Sequence, residues 1–174
     1  MQIFEQIGKK NICLIGLMGS GKSVIGKDLS RILKVKHFDS DNEIEKNQGT
    51  SINYIFKNYG ESHFRKIEEE ICIDLLNRKN VVISLGGGSI INGNIRKIIK
   101  SSSLSIYLKV NLDVLSKRLN SSNKRPLLKN VDKKDKLNQL YNERKEYYNK
   151  ADLVIENNFE KNDILKKIKS KLNI

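Results

Sequence analysis

Short apolar runs alternate along this chain with longer stretches in which apolar residues recur every third or fourth position. The runs predict β-strands near Asn11–Ile15, Lys36–Asp39, Val81–Ser84, Ser105–Val110 and Leu153–Glu156. The longer period predicts a first helix at about Lys22–Leu33, with Ile25, Leu29, Ile32 and Leu33 on one face. Further helices are expected at about Asn92–Lys100, Leu112–Leu119, Asp132–Asn149 and Glu160–Leu172. From about Asn42 to Arg78 the pattern is helical throughout, and its last helix puts Phe64, Ile67, Ile71 and Leu75 on one face. Strands alternating with helices predict an α/β fold built from βαβ units around a parallel sheet. The polar stretch between Asn120 and Asp132 has the weakest periodicity and is expected to be a mobile loop able to act as a lid. No repeat and no linker interrupts the pattern, so residues 1–174 are expected to form one domain, with a helical insertion at about 42–78 and a lid at about 120–132.

Composition narrows the class. No stretch approaches the roughly 18 apolar residues of a membrane span. Met1–Lys10 has neither a long apolar run nor a small-residue cleavage site, so it does not read as a secretory leader. Cys13 and Cys72 are far apart and form no C-x-x-C pair, which suits a reducing compartment. The expectation is a cytoplasmic protein with no membrane partner. The net charge of +13 admits nucleic acid as a partner. However, the excess is mostly Lys and is spread along the chain. Lys161, Lys166, Lys167, Lys169 and Lys171 alternate with Ile164, Leu165, Ile168 and Leu172, the pattern of a solvated helix face. The few arginines therefore stand out, because Lys does not replace Arg at bidentate sites.

Gly16-Leu17-Met18-Gly19-Ser20-Gly21-Lys22-Ser23 fits the phosphate-binding template G-x-x-x-x-G-K-[ST] at every fixed position. It lies between the first strand and the first helix, the context that the motif requires. Its glycines let backbone N–H groups close around phosphate at a helix N-terminus. Lys22 would add a charge at the β/γ-phosphates, and the Ser23 hydroxyl would ligate Mg²⁺. The chain is thus expected to handle a nucleoside triphosphate.

Other candidates lie at strand ends, where ligands of open α/β sheets bind. The third strand ends in Ser84 with no carboxylate, so the second metal anchor is sought in Phe38-Asp39-Ser40-Asp41. Asp39 could face Mg²⁺ through water while Asp41 faces a substrate hydroxyl, although Asp is also common in turns and helix caps. Leu85-Gly86-Gly87-Gly88-Ser89 leaves bare backbone at the same sheet edge, more than a tight turn needs. Arg65 has Glu68 three residues on, a helical ion pair that by itself reads as surface. Arg125 stands beside Pro126 in the polar loop, where closure could carry it to a transferring phosphate. Arg144 lies on a charged helix, and neither His37 nor His63 has a partner pattern.

Taken in order and spacing, the segments GLMGSGKS, FDSD, FRKIEEE, SLGGGS, KRPLL and ERKEYY resemble shikimate kinase over Asn11–Leu172. The resemblance implies a P-loop kinase fold like that of nucleoside-monophosphate kinases, a five-stranded parallel sheet flanked by helices with a substrate-binding helical insertion and a lid. It implies transfer of the γ-phosphate of ATP, with Mg²⁺, to the 3-hydroxyl of shikimate on the way to chorismate and the aromatic amino acids. By the same resemblance, Arg65 and Arg144 hold the substrate carboxylate, and Asp41 contacts its hydroxyls and helps deprotonate one. Gly86, Gly87 and Gly88 line the pocket. Gly19, Ser20, Gly21, Lys22, Ser23 and Val24 hold the nucleotide, with Arg118 against adenine. Ser23 and Asp39 belong to the metal shell, Arg125 reaches from the lid to phosphate, and Glu68 supports Arg65. Lys22, Asp41 and Arg125 are the expected catalytic residues. The family also implies a monomer with shikimate and ATP as its small-molecule partners.

Two positions depart from the family pattern. Val24 replaces a second hydroxyl residue after Ser23, and Glu146 stands where a Pro is common two residues after Arg144. Another small-molecule kinase of this fold, such as a gluconate kinase, would share Lys22 and Ser23 without needing both Arg65 and Arg144. An ATP-dependent nucleic-acid binder would use the +13 charge, but the chain has few aromatic residues for base stacking and no recognised binding motif. An inactive relative would have lost a residue type that the chemistry needs, and none is missing.

Overall fold

Residues 2–119, 132–158 and 161–174 are described in a computed structural model of the chain. Strands β1 (Asn11–Ile15), β2 (Lys36–Asp39), β3 (Val81–Ser84), β4 (Ser103–Lys109) and β5 (Leu153–Glu156) form one sheet in the order β2-β3-β1-β4-β5. Every pairing is parallel, with Ile12 beside Val82 on one side and Leu104 on the other. The helices are α1 (Gln2–Gln6), α2 (Lys22–Leu33), α3 (Ser40–Gln48), α4 (Ile52–Asn77), α5 (Gly93–Ser102), α6 (Leu112–Leu119), α7 (Lys133–Tyr148) and α8 (Lys161–Leu172). A short 3-10 turn, Ser89–Ile91, precedes α5.

Parallel strands are covered on both faces, so their side chains feed two cores. On β1, Ile12 and Leu14 join Ile25 and Leu29 of α2 and Ile164 and Ile168 of α8. Cys13 and Ile15 point the other way, toward Leu75 and Leu76 of α4, Ile95 and Ile99 of α5, and Leu137, Leu140 and Tyr148 of α7. This is the strand alternation with period two, and each such side chain fully buried contributes about 1.5–3 kcal/mol. A smaller cluster of Ile44, Ile55, Phe64 and Ile67 holds α3 against α4. β1 and β3 are neighbours, and the connection from β1 runs to β2 at one edge of the sheet while that from β3 runs the other way, past β1 to β4. That reversal opens a crevice beyond the carboxyl ends of β1 and β3, where such sheets bind ligands.

The sequence-based expectation of a parallel five-stranded α/β fold holds, with local differences. Helix α1 was not predicted; Ile3 and Phe4, both buried, pin it to the α2/α8 core. β4 begins earlier and ends earlier than Ser105–Val110, because Ser103 pairs with Asn11 and Ser105 shares a hydrogen bond with Asp152. Polar side chains whose partners lie far off in sequence concealed that strand start. The insertion is not helical throughout: Gly49, in a left-handed conformation, ends α3. Ser51 then caps α4, its Oγ accepting from Tyr54 N at 3.2 Å. α4 itself breaks at Gly60 (φ 80°, ψ 172°), so Arg65 belongs to its second segment. Apart from Asp132, which caps α7, the expected lid lies outside the described residues, and Arg125 with it. Among the described residues no helix is long and apolar enough to cross a membrane.

Candidate functional site

The loop between β1 and α2 wraps the start of the helix. Gly21 sits at the helix cap with φ 89°, a conformation that side-chain-bearing residues rarely adopt. Lys22 is buried, and its Nζ donates to the carbonyls of Gly16 and Leu17, both at 2.9 Å. Ser20 is fully buried, whereas the Val24 side chain is exposed on the outer face of α2.

Asp39 ends β2 and caps α3. Its Oδ1 accepts from the backbone N–H of Asp41 at 3.1 Å and of Asn42 at 3.4 Å, which leaves Oδ2 to accept from the Ser23 hydroxyl. A hydroxyl and a carboxylate are thus paired where two elements meet. Hard oxygen donors of this kind suit Mg²⁺, which takes one or two protein oxygens and fills its remaining positions with water and phosphate.

Next to this pair lies a cavity of about 400 Å³, lined by Ser23, Asp39, Asp41, Arg65, Glu68, Gly86–Gly88 and Arg144 among others. The glycines are needed there because of close approach. A β-carbon on Gly86 would stand 2.6 Å from Asp41 Oδ1, and one on Gly88 would stand 2.7 Å from Arg65 Nη2. Arg65 is steered by two carboxylates: Nη1 donates to Glu68 Oε2 at 2.6 Å, and Nη2 donates to Glu61 Oε1 at 2.8 Å. Burial pushes the Glu68 carboxyl up and Arg65 only partly offsets this, while Asp41 nearby adds to the rise. Burial works against the Arg65 charge, but Glu68 and Glu61 hold its pKa above the ordinary value.

Arg144 is only 2% exposed, and its Nε and Nη1 have no hydrogen-bond partner among the described residues. A buried guanidinium with idle donors is costly unless an anion meets it. One turn on, Tyr148 donates its phenol to Gly87 O at 2.6 Å and stacks on Tyr107. Burial pushes that phenol up, with Arg144 pulling partly against it.

Asp41, Arg65, Gly86, Gly87, Gly88 and Arg144 therefore meet around one cavity, and Ser23 and Asp39 join them. Lys22 and the Gly19-Ser20-Gly21 segment sit at its neighbour, the phosphate loop. Arg118, on α6, reaches Gly19 O at 3.4 Å and Asn157 O at 3.2 Å. Sequence reasoning missed three supports. His37 bonds Ser84 at 2.9 Å, and Ser84 donates to Lys22 O at 3.0 Å, tying β2 and β3 to α2. Burial pushes the His37 pKa down. Glu61 shares Arg65, and its i−4 spacing was the available signal. Asn157 donates to Ser20 O at 2.6 Å, and its place just after β5 was the only hint.

Comparison with known proteins bears on this arrangement. The family model described as shikimate kinase matches residues 18–173. A shikimate kinase of Bartonella quintana (strain Toulouse) is 41% identical over 154 residues, 88% of this chain and 73% of the relative. The structure of a shikimate kinase from Acinetobacter baumannii in complex with shikimate superposes with a TM-score of 0.91 at 32% identity, covering 99% of this chain and 97% of that one. A gluconokinase from Sinorhizobium meliloti 1021 superposes with a TM-score of 0.62 at 15% identity over 94% of this chain and 91% of that one, a likeness of fold alone. The chain belongs to the shikimate kinase family.

Proposed function

We propose that the cavity beside the phosphate loop holds shikimate, with Arg65 and Arg144 on its carboxylate and Asp41 on its ring hydroxyls. The reaction is transfer of the γ-phosphate of ATP to the 3-hydroxyl of shikimate. The observation that carries the assignment is Arg144, a buried guanidinium with two unpartnered N–H donors on the wall of the cavity that Arg65 also lines. Planar guanidinium forks match a carboxylate in two-point contact, which a Lys pair would not reproduce.

The remaining residues divide the work as follows. Backbone N–H groups of Gly19, Ser20, Gly21, Lys22, Ser23 and Val24 hold the nucleotide phosphates. The Lys22 ammonium leaves its two carbonyl partners for the β/γ-phosphates and neutralises charge as the phosphoryl group moves. Asp41 orients the attacking hydroxyl and takes up its proton. Gly86–Gly88 let the substrate ring lie against bare backbone, and Glu68 fixes the plane of Arg65. Arg118 packs on adenine, and Arg125 enters from the lid at 120–132. Ser23 and Asp39 would hold Mg²⁺, which screens the phosphate charges when bound. Catalysis is then mostly positioning. Of these contacts the insertion at 42–78 supplies Arg65, with Glu68 behind it. The same reading makes the protein a monomer, since one chain supplies every contact that it uses, and it calls for a cytoplasmic enzyme with neither nucleic acid nor membrane as partner.

The test is to compare shikimate with its methyl ester. The ester keeps the ring and every hydroxyl but lacks the charge that Arg65 and Arg144 are assigned to meet. Phosphorylation of shikimate with at least a hundredfold loss in kcat/KM for the ester is the expected result, about 2.7 kcal/mol. Equal use of both would refute the carboxylate assignment.

A further inference from the structure

Asn157 lies in the turn after β5, is only 5% exposed, and is not among the residues assigned above. Its backbone N–H donates to Lys109 O at 2.7 Å, fixing the turn to the end of β4. Its side-chain Nδ2 donates to Ser20 O at 2.6 Å, in the middle of the phosphate loop and 137 positions away in sequence. Its own carbonyl accepts from Arg118 Nη2 at 3.2 Å, and Arg118 Nη1 also reaches Gly19 O at 3.4 Å. The neighbouring Asn158 holds the start of the next segment, its Oδ1 accepting from Asn111 N at 2.8 Å just before α6. The fit is close, for a β-carbon on Gly21 would stand 2.9 Å from Asn157 Nδ2.

We propose that Asn157 is a positioning residue for the nucleotide phosphates, setting the Ser20–Gly21 peptide so that its N–H faces the loop interior. The physical argument is the geometry of a trans peptide, in which C=O and N–H point to opposite sides. No cis peptide occurs among the described residues. Pinning Ser20 O toward Asn157 therefore turns the Gly21 N–H away from it, toward the concave side of the loop. A single donor from a buried amide fixes one of the amides that would meet phosphate, without touching phosphate itself. Arg118 couples to the same point through the Asn157 carbonyl, so the turn after β5 registers α6 and the phosphate loop together. Preorganised N–H donors cost no rearrangement when phosphate arrives, and this is why a support that never touches ligand can alter affinity.

The inference rests on the reading of residues 16–23 as the nucleotide site, and its test separates the two. The affinities of Asn157→Ala and of the near-isosteric Asn157→Asp for ADP are measured by titration calorimetry well below each melting temperature. Shikimate affinity is measured in the same preparations. The expected result is at least a tenfold loss of ADP affinity in both variants, with shikimate affinity within twofold of the wild type and KM for ATP raised more than kcat is lowered. The Asp variant keeps the volume but lacks the donor, so it separates the hydrogen bond from packing. Wild-type ADP affinity in both variants would overturn the proposal, and so would a parallel loss for both ligands, which marks a merely structural role. A wild-type protein that bound no ADP would remove the nucleotide-site reading itself, and this proposal with it. One that bound ADP but left shikimate unphosphorylated would overturn only the substrate assignment.

Discussion

Tyr148 donates its buried phenol to the carbonyl of Gly87 at 2.6 Å, one helical turn beyond Arg144 on α7. One helix thus carries a cavity-lining guanidinium and also fastens the glycine turn that floors the same cavity. Tyr148→Phe removes the hydroxyl alone and keeps the stacking on Tyr107, whose ring centroid is 5.0 Å away. The lost bond leaves Gly87 O unsatisfied, a loss of about 1 kcal/mol or somewhat more. Thermal unfolding should show a melting temperature lower by roughly 2–4 °C. Shikimate KM should rise several-fold while KM for ATP stays put. An unchanged shikimate KM would mean that the glycine turn holds its shape without Tyr148.

Gly88→Ala should leave the fold intact and damage the site. Gly88 has φ −90°, which alanine adopts freely, so the backbone is not strained. The added methyl would instead displace the end of the Arg65 side chain, 2.7 Å away at Nη2. We expect a melting temperature near that of the wild type and shikimate affinity reduced roughly tenfold, about 1.4 kcal/mol. A variant that melted much earlier, or bound shikimate normally, would contradict the close packing described.

Arg65→Lys preserves charge and discards the fork. Glu61 and Glu68 orient the guanidinium through separate nitrogens, and a single ammonium cannot reproduce that pairing. Hydrogen bonds to charged groups are worth about 1.5–3 kcal/mol, so shikimate affinity should fall by about ten- to a hundredfold. ATP affinity should be unaffected. Direct titration of each ligand decides the matter, and a matching loss for ATP would point to a general disturbance instead.

Glu68 predicts a pH signature in stability. Burial holds its carboxyl above the ordinary value in the folded protein, so the folded state binds its proton more tightly than the unfolded chain does. Its contribution is therefore fully present below the unfolded carboxylate pKa and is lost as pH rises through the raised folded value. Glu68→Gln removes that dependence. The melting temperature of the variant relative to the wild type should climb between acid and neutral pH over this window. A difference that stayed flat across it would show that Arg65 fully compensates burial.

Much of the fold was legible because its signals are local. The Gly16–Ser23 template, the apolar strand of residues 11–15 and the face of residues 64–75 each follow from residues near one another in sequence. The breaks at Gly49 and Gly60 were harder to read, because apolar periodicity resumes after each and hides the interruption. At the site, Asp39 and Asp41 were visible as strand-end carboxylates, but the cap that Asp39 makes on α3, which starts at Ser40, was not. Arg144 read as surface by composition, and only the packing of α7 under the glycine turn buries it. Asn157, Tyr148 and the His37–Ser84 pair were not legible, since each acts through a partner dozens of residues away.

The most direct test of the account is ADP release by the purified protein with Mg²⁺-ATP, measured without acceptor and with shikimate, gluconate or quinate. Strong release with shikimate and background rates with the other two acids are the expected result. Stimulation by gluconate or quinate with none by shikimate would leave the phosphate loop in place and contradict the assignment of the cavity.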